Sequence, residues 1–242
     1  YQMAEWRKNM KRVKLIVAYD GTNYHGWQTQ PNAVTIEEVL NHHLSELLKE
    51  EIKVIGASRT DAGVHALGNV AVFDTSARMP ADKISYALNT RLPEDIRIQD
   101  SCEVPSDFHP RFQKTTKTYE YRILNRRFPD PTRRLNSFYY YYPLDVVKMQ
   151  EASLYLVGEH DFKSFCTEKP EVTNTVRTIY SLNVIKEGDI IIIRVTGNGF
   201  LYNMVRIIAG TLIRVGGGFI EPQQIKKILE AKDRTLAGET AR

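Results

Sequence analysis

The chain has 242 residues, with 33 Lys and Arg against 29 Asp and Glu, which gives a formal net charge of +4 and a pI of about 8.9. This length suits one large domain or two small ones, and the mild excess of positive charge favours an anionic partner only weakly. The two cysteines, Cys102 and Cys166, have no CxxC or Cys/His spacing, which argues against a structural zinc or a disulfide scaffold and favours the reducing cytoplasm. No apolar run is long enough to span a bilayer, which argues against a membrane role.

The first half of the chain has the hydrophobic pattern of a βαββαβ unit. Residues 1–10 are predicted to be a polar, basic tail. Periodicity then predicts, in order, a strand at 12–19, a helix at 35–49, strands at 52–57 and 69–75, a helix at 81–92 and a strand at 96–103. The first helix is the best supported, because its apolar residues share one face and Thr35 with Glu38 matches a capping box. Residues 11–107 are therefore predicted to form an N-terminal ferredoxin-like lobe.

Residues 108–242 repeat most of this pattern. They predict, in order, a strand at 115–124, a helix at 144–157, strands at 176–185 and 189–196, a helix at 200–215 and a short helix at 222–231. The four tyrosines at 139–142 are assigned to an edge strand without a site, because alternate strand residues face opposite ways. The order βαββα is the same unit without its last strand. The chain is therefore predicted to be an α+β protein of two ferredoxin-like βαββαβ lobes whose sheets meet at a central cleft.

The most informative local feature is the turn Arg-Thr-Asp-Ala-Gly-Val-His-Ala at residues 59–66. It lies between two strand-like runs, so Asp61 is predicted to sit on a rigid scaffold. Asp-Ala-Gly is also ordinary turn chemistry, since Asp can bond its own backbone and Gly accepts positive φ. Local evidence alone therefore fits a purely structural turn equally well.

A second feature lies far along the chain. Between residues 195 and 213 the only charged side chain is Arg206, in the run Gly-Phe-Leu-Tyr-Asn-Met-Val-Arg-Ile-Ile-Ala-Gly at 199–210. A helix that is apolar nearly all round is expected to be buried, and a buried guanidinium needs a carboxylate or comparable acceptors. Asp61 is a candidate partner. A structural ion pair between the two lobes is the alternative interpretation.

Two further stretches complete a set of four: Ala-Tyr-Asp-Gly-Thr-Asn-Tyr-His-Gly-Trp-Gln at 18–28 and Lys-Thr-Tyr-Glu-Tyr-Arg at 117–122. In this order the four stretches resemble the tRNA pseudouridine synthase A family over almost the whole chain. The resemblance implies the pseudouridine synthase fold and an isomerase without cofactor, acting on uridines 38–40 in the anticodon arm of tRNA. It also implies a homodimer. The family pattern has one more strand after the point where this sequence ends, so the last strand of the lobe at 108–242 is expected to be missing.

The resemblance assigns catalysis to Asp61, Tyr119 and Arg206. Asp61 would either attack C1′ as a nucleophile or take a proton from the sugar, and both routes need an ionised carboxylate, which a neighbouring Arg206 would favour. Tyr119 is implied to stack on the flipped uracil and to move a proton at C5. Because Tyr119, Tyr121 and Ile123 alternate along one strand face, core packing is the alternative for this ring.

The predicted RNA contacts are Arg59, His65, Lys117, Arg126 and Arg127. The resemblance implies that Arg59 contacts the RNA backbone or stabilises the extruded nucleotide, and for His65 a hydrogen bond that holds the loop is favoured over catalysis. The other three belong to basic clusters of the kind that bind phosphate, with an ordinary solvated face as the alternative.

Tyr24, His25 and Trp27 are expected to pack beneath the loop. The six histidines have no HExxH or comparable spacing, so no metal is indicated.

Two other functions fit parts of the sequence. A catalytically silent tRNA-binding protein on the same scaffold would keep the basic surface but would not need Asp61 paired with Arg206. A nucleoside or glycoside hydrolase using Asp61 would need a second carboxylate nearby, and none occurs between Asp61 and Asp74.

Overall fold

The computed structural model describes residues 10–167 and 173–242, so the predicted N-terminal tail lies outside the described residues except for Met10. The chain divides into two compact units, Tyr1–Gln113 and Lys114–Arg242. The sequence had suggested a boundary after residue 107. Residues 108–113 lie with the first unit because Arg12 Nη1 donates to the Phe108 carbonyl (2.9 Å) and Arg111 Nε donates to the Gly56 carbonyl (2.9 Å).

The first unit has the predicted ferredoxin-like order. Its described residues, 10–113, contain four strands and two α-helices: β1 (Lys11–Tyr19), α1 (Ile36–Leu48), β2 (Ile55–Gly56), β3 (Ala66–Thr75), α2 (Ala81–Asn89) and β4 (Ile96–Val104). The sheet order is β2-β3-β1-β4, and every pairing is antiparallel. Alternate β1 residues are buried in the core of this unit: Val13, Leu15, Val17 and Tyr19.

Helix α1 begins and ends as the sequence indicates. The Thr35 hydroxyl accepts a hydrogen bond from the Glu38 amide (3.3 Å), and Lys49 terminates the helix in the left-handed conformation, φ 57°. The predicted strand at 52–57 is much shorter than expected, because α1 side chains take its backbone donors. The Ile52 amide donates to Ser45 Oγ (2.9 Å) and the Val54 amide to Asn41 Oδ1 (2.8 Å).

The second unit also packs helices on an antiparallel core of strands, but the strands at the two edges of its sheet differ from those of the first unit. Its described residues contain five strands and three α-helices: β5 (Lys117–Asn125), β6 (Phe138–Tyr140), α3 (Val146–Leu154), β7 (Gly158–Asp161), β8 (Val176–Glu187), β9 (Ile190–Gly197), α4 (Met204–Gly216) and α5 (Gln224–Ala231). The sheet order is β6-β5-β9-β8-β7. The predicted edge strand exists as β6, parallel to the end of β5, but it stops at Tyr140. Strand β7 was not predicted, because Gly-Glu-His-Asp has no apolar alternation.

Together the two units confirm the α+β fold class. The predicted missing last strand stays a prediction. None of the helices within residues 10–167 and 173–242 is long and apolar enough to cross a lipid bilayer.

Helix α4 packs directly against the C-terminal segment. The helix starts at Met204 rather than at residue 200, because Asn203 is left-handed with φ 60°. A Cβ at Gly210 would collide with the Glu239 carbonyl, so glycine allows the two backbones to touch. The Gly238 amide donates to Thr211 Oγ1 (2.8 Å), and the Ala241 amide donates to the Arg206 carbonyl (3.1 Å). The packing of the C-terminal segment, residues 238–241, against α4 therefore depends on the absence of a side chain at Gly210.

We expect Gly210→Ala to destabilise the protein by about 1–3 kcal/mol, as overpacking does in a close-packed interior. Helix propensity predicts the opposite sign, since Ala is favoured over Gly in a helix by about 1 kcal/mol. The free energy of unfolding from chemical denaturation decides between the two. Gly199→Ala is the matched control, because its Cβ would meet only ordinary contact with Arg177 at 3.9 Å. A Gly210→Ala variant that is as stable as wild type would show that the segment does not press on α4.

Candidate active site

Asp61 lies on a loop between β2 and β3. The loop turns at Gly63, which has φ 76°, and the Val64 amide donates to the Asp61 carbonyl (3.2 Å). Asp61 is half-buried, whereas Arg59 and His65 on either side are exposed. The structure thus holds the carboxylate in a defined turn at the end of a sheet.

The stretch at 18–28 lies directly against this loop. The Gly63 amide donates to the Tyr24 carbonyl (3.2 Å), and the Trp27 amide donates to the Thr60 carbonyl (3.0 Å). Gly26 has φ 87°, and a Cβ there would lie 2.5 Å from the Thr60 oxygen. A Cβ at Gly21 would likewise collide with the Val64 carbonyl. Two of the four motifs therefore form one structure, in which glycines let the two backbones approach.

The predicted aromatic packing beneath the loop is confirmed for two of its three residues. Tyr24 and Trp27 are buried in the core of the first unit, and the Trp27 ring lies so close to Gly56 that a side chain there would collide with it. The prediction is wrong for His25, which is exposed. Its backbone bonds across the turn to the Val34 carbonyl (2.9 Å), which leaves its side chain facing solvent.

Buried polar side chains fix the residues that precede Asp61. The Tyr19 and Thr60 hydroxyls lie 2.8 Å apart in a hydrogen bond. Asn69 accepts from the Ser58 amide (3.1 Å) and donates to the Ser58 carbonyl (3.0 Å), so its amide replaces a strand neighbour. Sequence reasoning missed Thr60 and Asn69. The available signal was an Asn within the β-branched run at 69–75, where an amide is expected only if its hydrogen bonds are satisfied.

His65 holds the other side of the loop. Its Nδ1 accepts a hydrogen bond from the Gly21 amide (2.9 Å) and also lies 3.0 Å from Asp20 Oδ1. One nitrogen cannot accept from Gly21 and donate to Asp20 at the same time. The Gly21 N–H points at Nδ1, so this hydrogen bond ties the ring to the stretch at 18–28. Hydrogen bonds from Thr22, and then the neighbouring His65, hold the pKa of Asp20 below its ordinary value.

Asp95 joins the stretch at 18–28 to the start of β4. Its carboxylate accepts from the Tyr24 hydroxyl (2.6 Å), and its carbonyl accepts from the Asp20 amide (2.9 Å). Burial, and then the bond to Asp95, raises the pKa of the Tyr24 phenol. Tyr24 therefore stays protonated and keeps donating to Asp95. Nothing in the sequence pattern pointed to Asp95, because this contact spans 71 positions.

The second unit carries Tyr119 and Lys117 on β5. Both are half-buried, and the Tyr119 ring meets Phe200 edge-on with ring centroids 5.3 Å apart. Tyr121 lies on the same strand face, and its hydroxyl donates to the Arg242 carbonyl (2.9 Å). Burial raises the pKa of Tyr121, and the charge of Arg206 opposes that shift.

Helix α4 is largely buried, as expected, but Arg206 in its first turn is only half-buried. Its Nε donates to the Ala241 carbonyl (2.6 Å), and its Nη1 donates to Asn203 Oδ1 (3.4 Å). These acceptors belong to its own unit. Burial by itself therefore does not require a carboxylate partner, and the pairing with Asp61 stays a prediction.

Arg126 and Arg127 follow the end of β5 and are exposed. Arg126 Nη1 lies 3.3 Å from Asp189 Oδ2, and the Arg127 guanidinium lies over the Phe128 ring at 5.0 Å from its centroid. Surface contacts of this kind contribute little stability, so both side chains can exchange them for a phosphate.

One group of ligand-type side chains comes together on α1. A nitrogen of His42, a nitrogen of His43 and an oxygen of Glu46 lie within 4.8 Å of one another. Their spacing in the sequence is i, i+1, i+4, which does not match HExxH. The three residues lie on a helix and not on the loop that carries Asp61.

Both units resemble parts of known proteins. A sequence model described as tRNA pseudouridine synthase matches residues 15–113 and 152–242. Proteins named tRNA pseudouridine synthase A from a Thermoanaerobacter species and from Ruminiclostridium cellulolyticum are each 50% identical to this chain, over 96% of it and 95% of their own length. The protein of that name from Brevibacillus brevis is 48% identical with the same coverage. The chain belongs to the tRNA pseudouridine synthase family.

Proposed function

We propose that this chain converts uridines 38–40 in the anticodon arm of tRNA to pseudouridine, with Asp61 as the catalytic carboxylate. Family membership makes it an isomerase that forms pseudouridine in tRNA. The observation that best supports the role of Asp61 is its loop, which is bonded to the stretch at 18–28 on both sides of the carboxylate. Catalytic groups need such support, because small displacements cost rate.

The reaction breaks the bond from C1′ to N1 and forms a bond from C1′ to C5. The C5 proton leaves to solvent and N1 gains a proton, so atoms balance without a cofactor. Asp61 would either form a bond to C1′ and then release it, or remove a sugar proton and return it. In both routes the carboxylate must be ionised at the start, which a nearby Arg206 would favour.

The substrate base must leave the stack before it can react. Extrusion costs a few kcal/mol, and an exposed cation such as Arg59 beside the gap offsets part of that cost. Tyr119 would stack on the uracil, as aromatic rings do on unstacked RNA bases. His65, Lys117, Arg126 and Arg127 would contact the surrounding backbone. A homodimer and a cytoplasmic location are proposed from the family alone.

The first test is tritium release from tRNA labelled at uracil C5. We expect release without added metal or nucleotide, and equal release after treatment with a chelator. If chelation removes activity and a divalent ion restores it, direct catalysis by Asp61 is wrong, provided that the same ion does not simply refold the tRNA. A silent tRNA-binding protein would release no tritium, and a hydrolase would release free uracil instead.

Replacing Asp61 with Asn keeps the shape of the side chain but removes its charge. We expect turnover to fall by roughly 100-fold or more, as for loss of a catalytic acid or base, while tRNA affinity stays nearly unchanged. Asp82→Asn is the control, because Asp82 is an exposed carboxylate on α2 that pairs with its neighbour Lys83. Comparable single-turnover rates for Asp61→Asn and wild type would refute the assignment.

The proposed pairing of Arg206 with Asp61 predicts a change in pH dependence. Without Arg206 the pKa of Asp61 should rise, so Arg206→Met should lose most of its turnover near neutral pH and recover part of it as the pH increases. Lys is a poor substitute, since a point charge lacks the planar fork of a guanidinium. Asn203→Gly is the control, because it removes the Nη1 acceptor but keeps the charge and tolerates the left-handed φ. Overlapping profiles of single-turnover rate against pH for wild type and Arg206→Met would show that the two residues are not coupled in catalysis.

A further inference from the structure

The segment at 108–112 is an ordered turn without a role in the proposed reaction. Hydrogen bonds fix it at two points: Arg12 donates to the Phe108 carbonyl (2.9 Å), and Arg111 Nε donates to the Gly56 carbonyl (2.9 Å). Within the turn the Phe112 amide donates to the His109 carbonyl (3.1 Å). The segment is therefore held against the first unit, and it presents its side chains in a defined arrangement.

Two of these side chains form an exposed aromatic platform. The rings of His109 and Phe112 are stacked, with centroids 4.1 Å apart and planes 22° from parallel. Phe112 is 82% exposed although it is a large apolar residue. The stack with His109 orients the Phe112 ring but leaves most of it in water. A flat, fixed ring of this kind is the usual surface on which unpaired bases stack.

Two arginines belong to segments that meet beside this turn, because Arg111 binds the Gly56 carbonyl and Arg59 follows Gly56 by three positions. Arg111 is exposed as a residue, while its guanidinium end is partly desolvated against Gly56. Partial burial and then the charge of Arg59 lower the pKa of Arg111, and the weaker influence of Glu37 opposes them. Like charges on neighbouring segments repel each other, and a bound anion would offset that repulsion. Arg59 belongs to the candidate catalytic loop and is only two positions from Asp61.

We infer that Arg59, Arg111 and Phe112 form a binding site for one strand of RNA, with a backbone phosphate at the two arginines and an unstacked base on the Phe112 ring. The inference depends on the proposed function only in that tRNA is the RNA. The two guanidiniums supply the charge, and the ring supplies contact that does not depend on base identity. A protein partner would bury the ring but would not need two cations beside it.

Binding of tRNA, measured by fluorescence anisotropy over a range of salt concentrations, tests the site. The measurements use the Asp61→Asn background so that the RNA is not converted. Arg111→Gln removes the charge and keeps an N–H donor for the Gly56 carbonyl. It should weaken binding and reduce the slope of log K against log salt by about one phosphate contact. Phe112→Leu should weaken binding by roughly 5- to 100-fold and leave that slope unchanged.

Matched controls come from the same unit. Arg91→Gln removes an exposed arginine, and Tyr86→Leu removes an aromatic ring that is 72% exposed on α2. Neither should change affinity or slope, while Arg111→Lys should restore the slope. Phe112 is on the surface, so the Leu variant tests the site even if Arg111→Gln does not fold. If both site variants match the controls, the inference is wrong.

The failure of this inference can be distinguished from failure of the proposed function. If Asp61-intact protein releases tritium but Arg111→Gln and Phe112→Leu bind tRNA like the controls, only the inference fails. If it releases none while both variants weaken binding, the RNA site stands and the isomerase proposal fails.

Discussion

The candidate site depends on two places where backbone meets backbone, at Gly21 and Gly26. At both positions a Cβ would press on a carbonyl of the loop at 59–66, so the two chain segments can touch only because these residues lack side chains. The bonds from Gly63 to Tyr24 and from Trp27 to Thr60 form at this approach distance. The position of Asp61 is thus set mainly by main-chain atoms, which vary less than side-chain rotamers do.

The two units share a topology but manage their sheet edges differently. In the first unit β4 lies beside β1, as the ferredoxin-like order requires. In the second unit the corresponding position beside β5 is occupied only along its end, by the three residues of β6, which run parallel to it. Short edge strands limit unwanted pairing with other chains. Tyr119 lies in the other half of β5. Strand β6 therefore does not cover the edge of β5 beside the proposed stacking ring.

Periodicity in the sequence predicted the central strands and the helices of both units, because burial of one face leaves a local pattern that a single chain displays. It could not predict contacts between distant positions. In the predicted strand at 52–57, two backbone amides donate to the side chains of Ser45 and Asn41 instead of to another strand. No local pattern signals these bonds. The apolar neighbours of Arg206 suggested a buried guanidinium with a carboxylate partner. Its Nε instead donates to the Ala241 carbonyl, 35 positions away, which no local pattern could indicate. Family motifs identified the loop of Asp61, whereas no local pattern indicates Asp95, whose contact with Tyr24 spans 71 positions.

Strand β2 has only two paired residues, and side chains compensate for this. Gly56 packs on the Trp27 ring, its carbonyl accepts from Arg111, and the next residues toward Asp61 are held by Asn69 through Ser58. The segment at 108–112 and the loop at 59–66 are therefore both attached to the short stretch from Gly56 to Ser58. An RNA strand that engages Arg111 would act on the same short strand that precedes Asp61. The inferred RNA contact and the residues that lead to the carboxylate therefore depend on the same part of a single unit, Gly56 to Ser58.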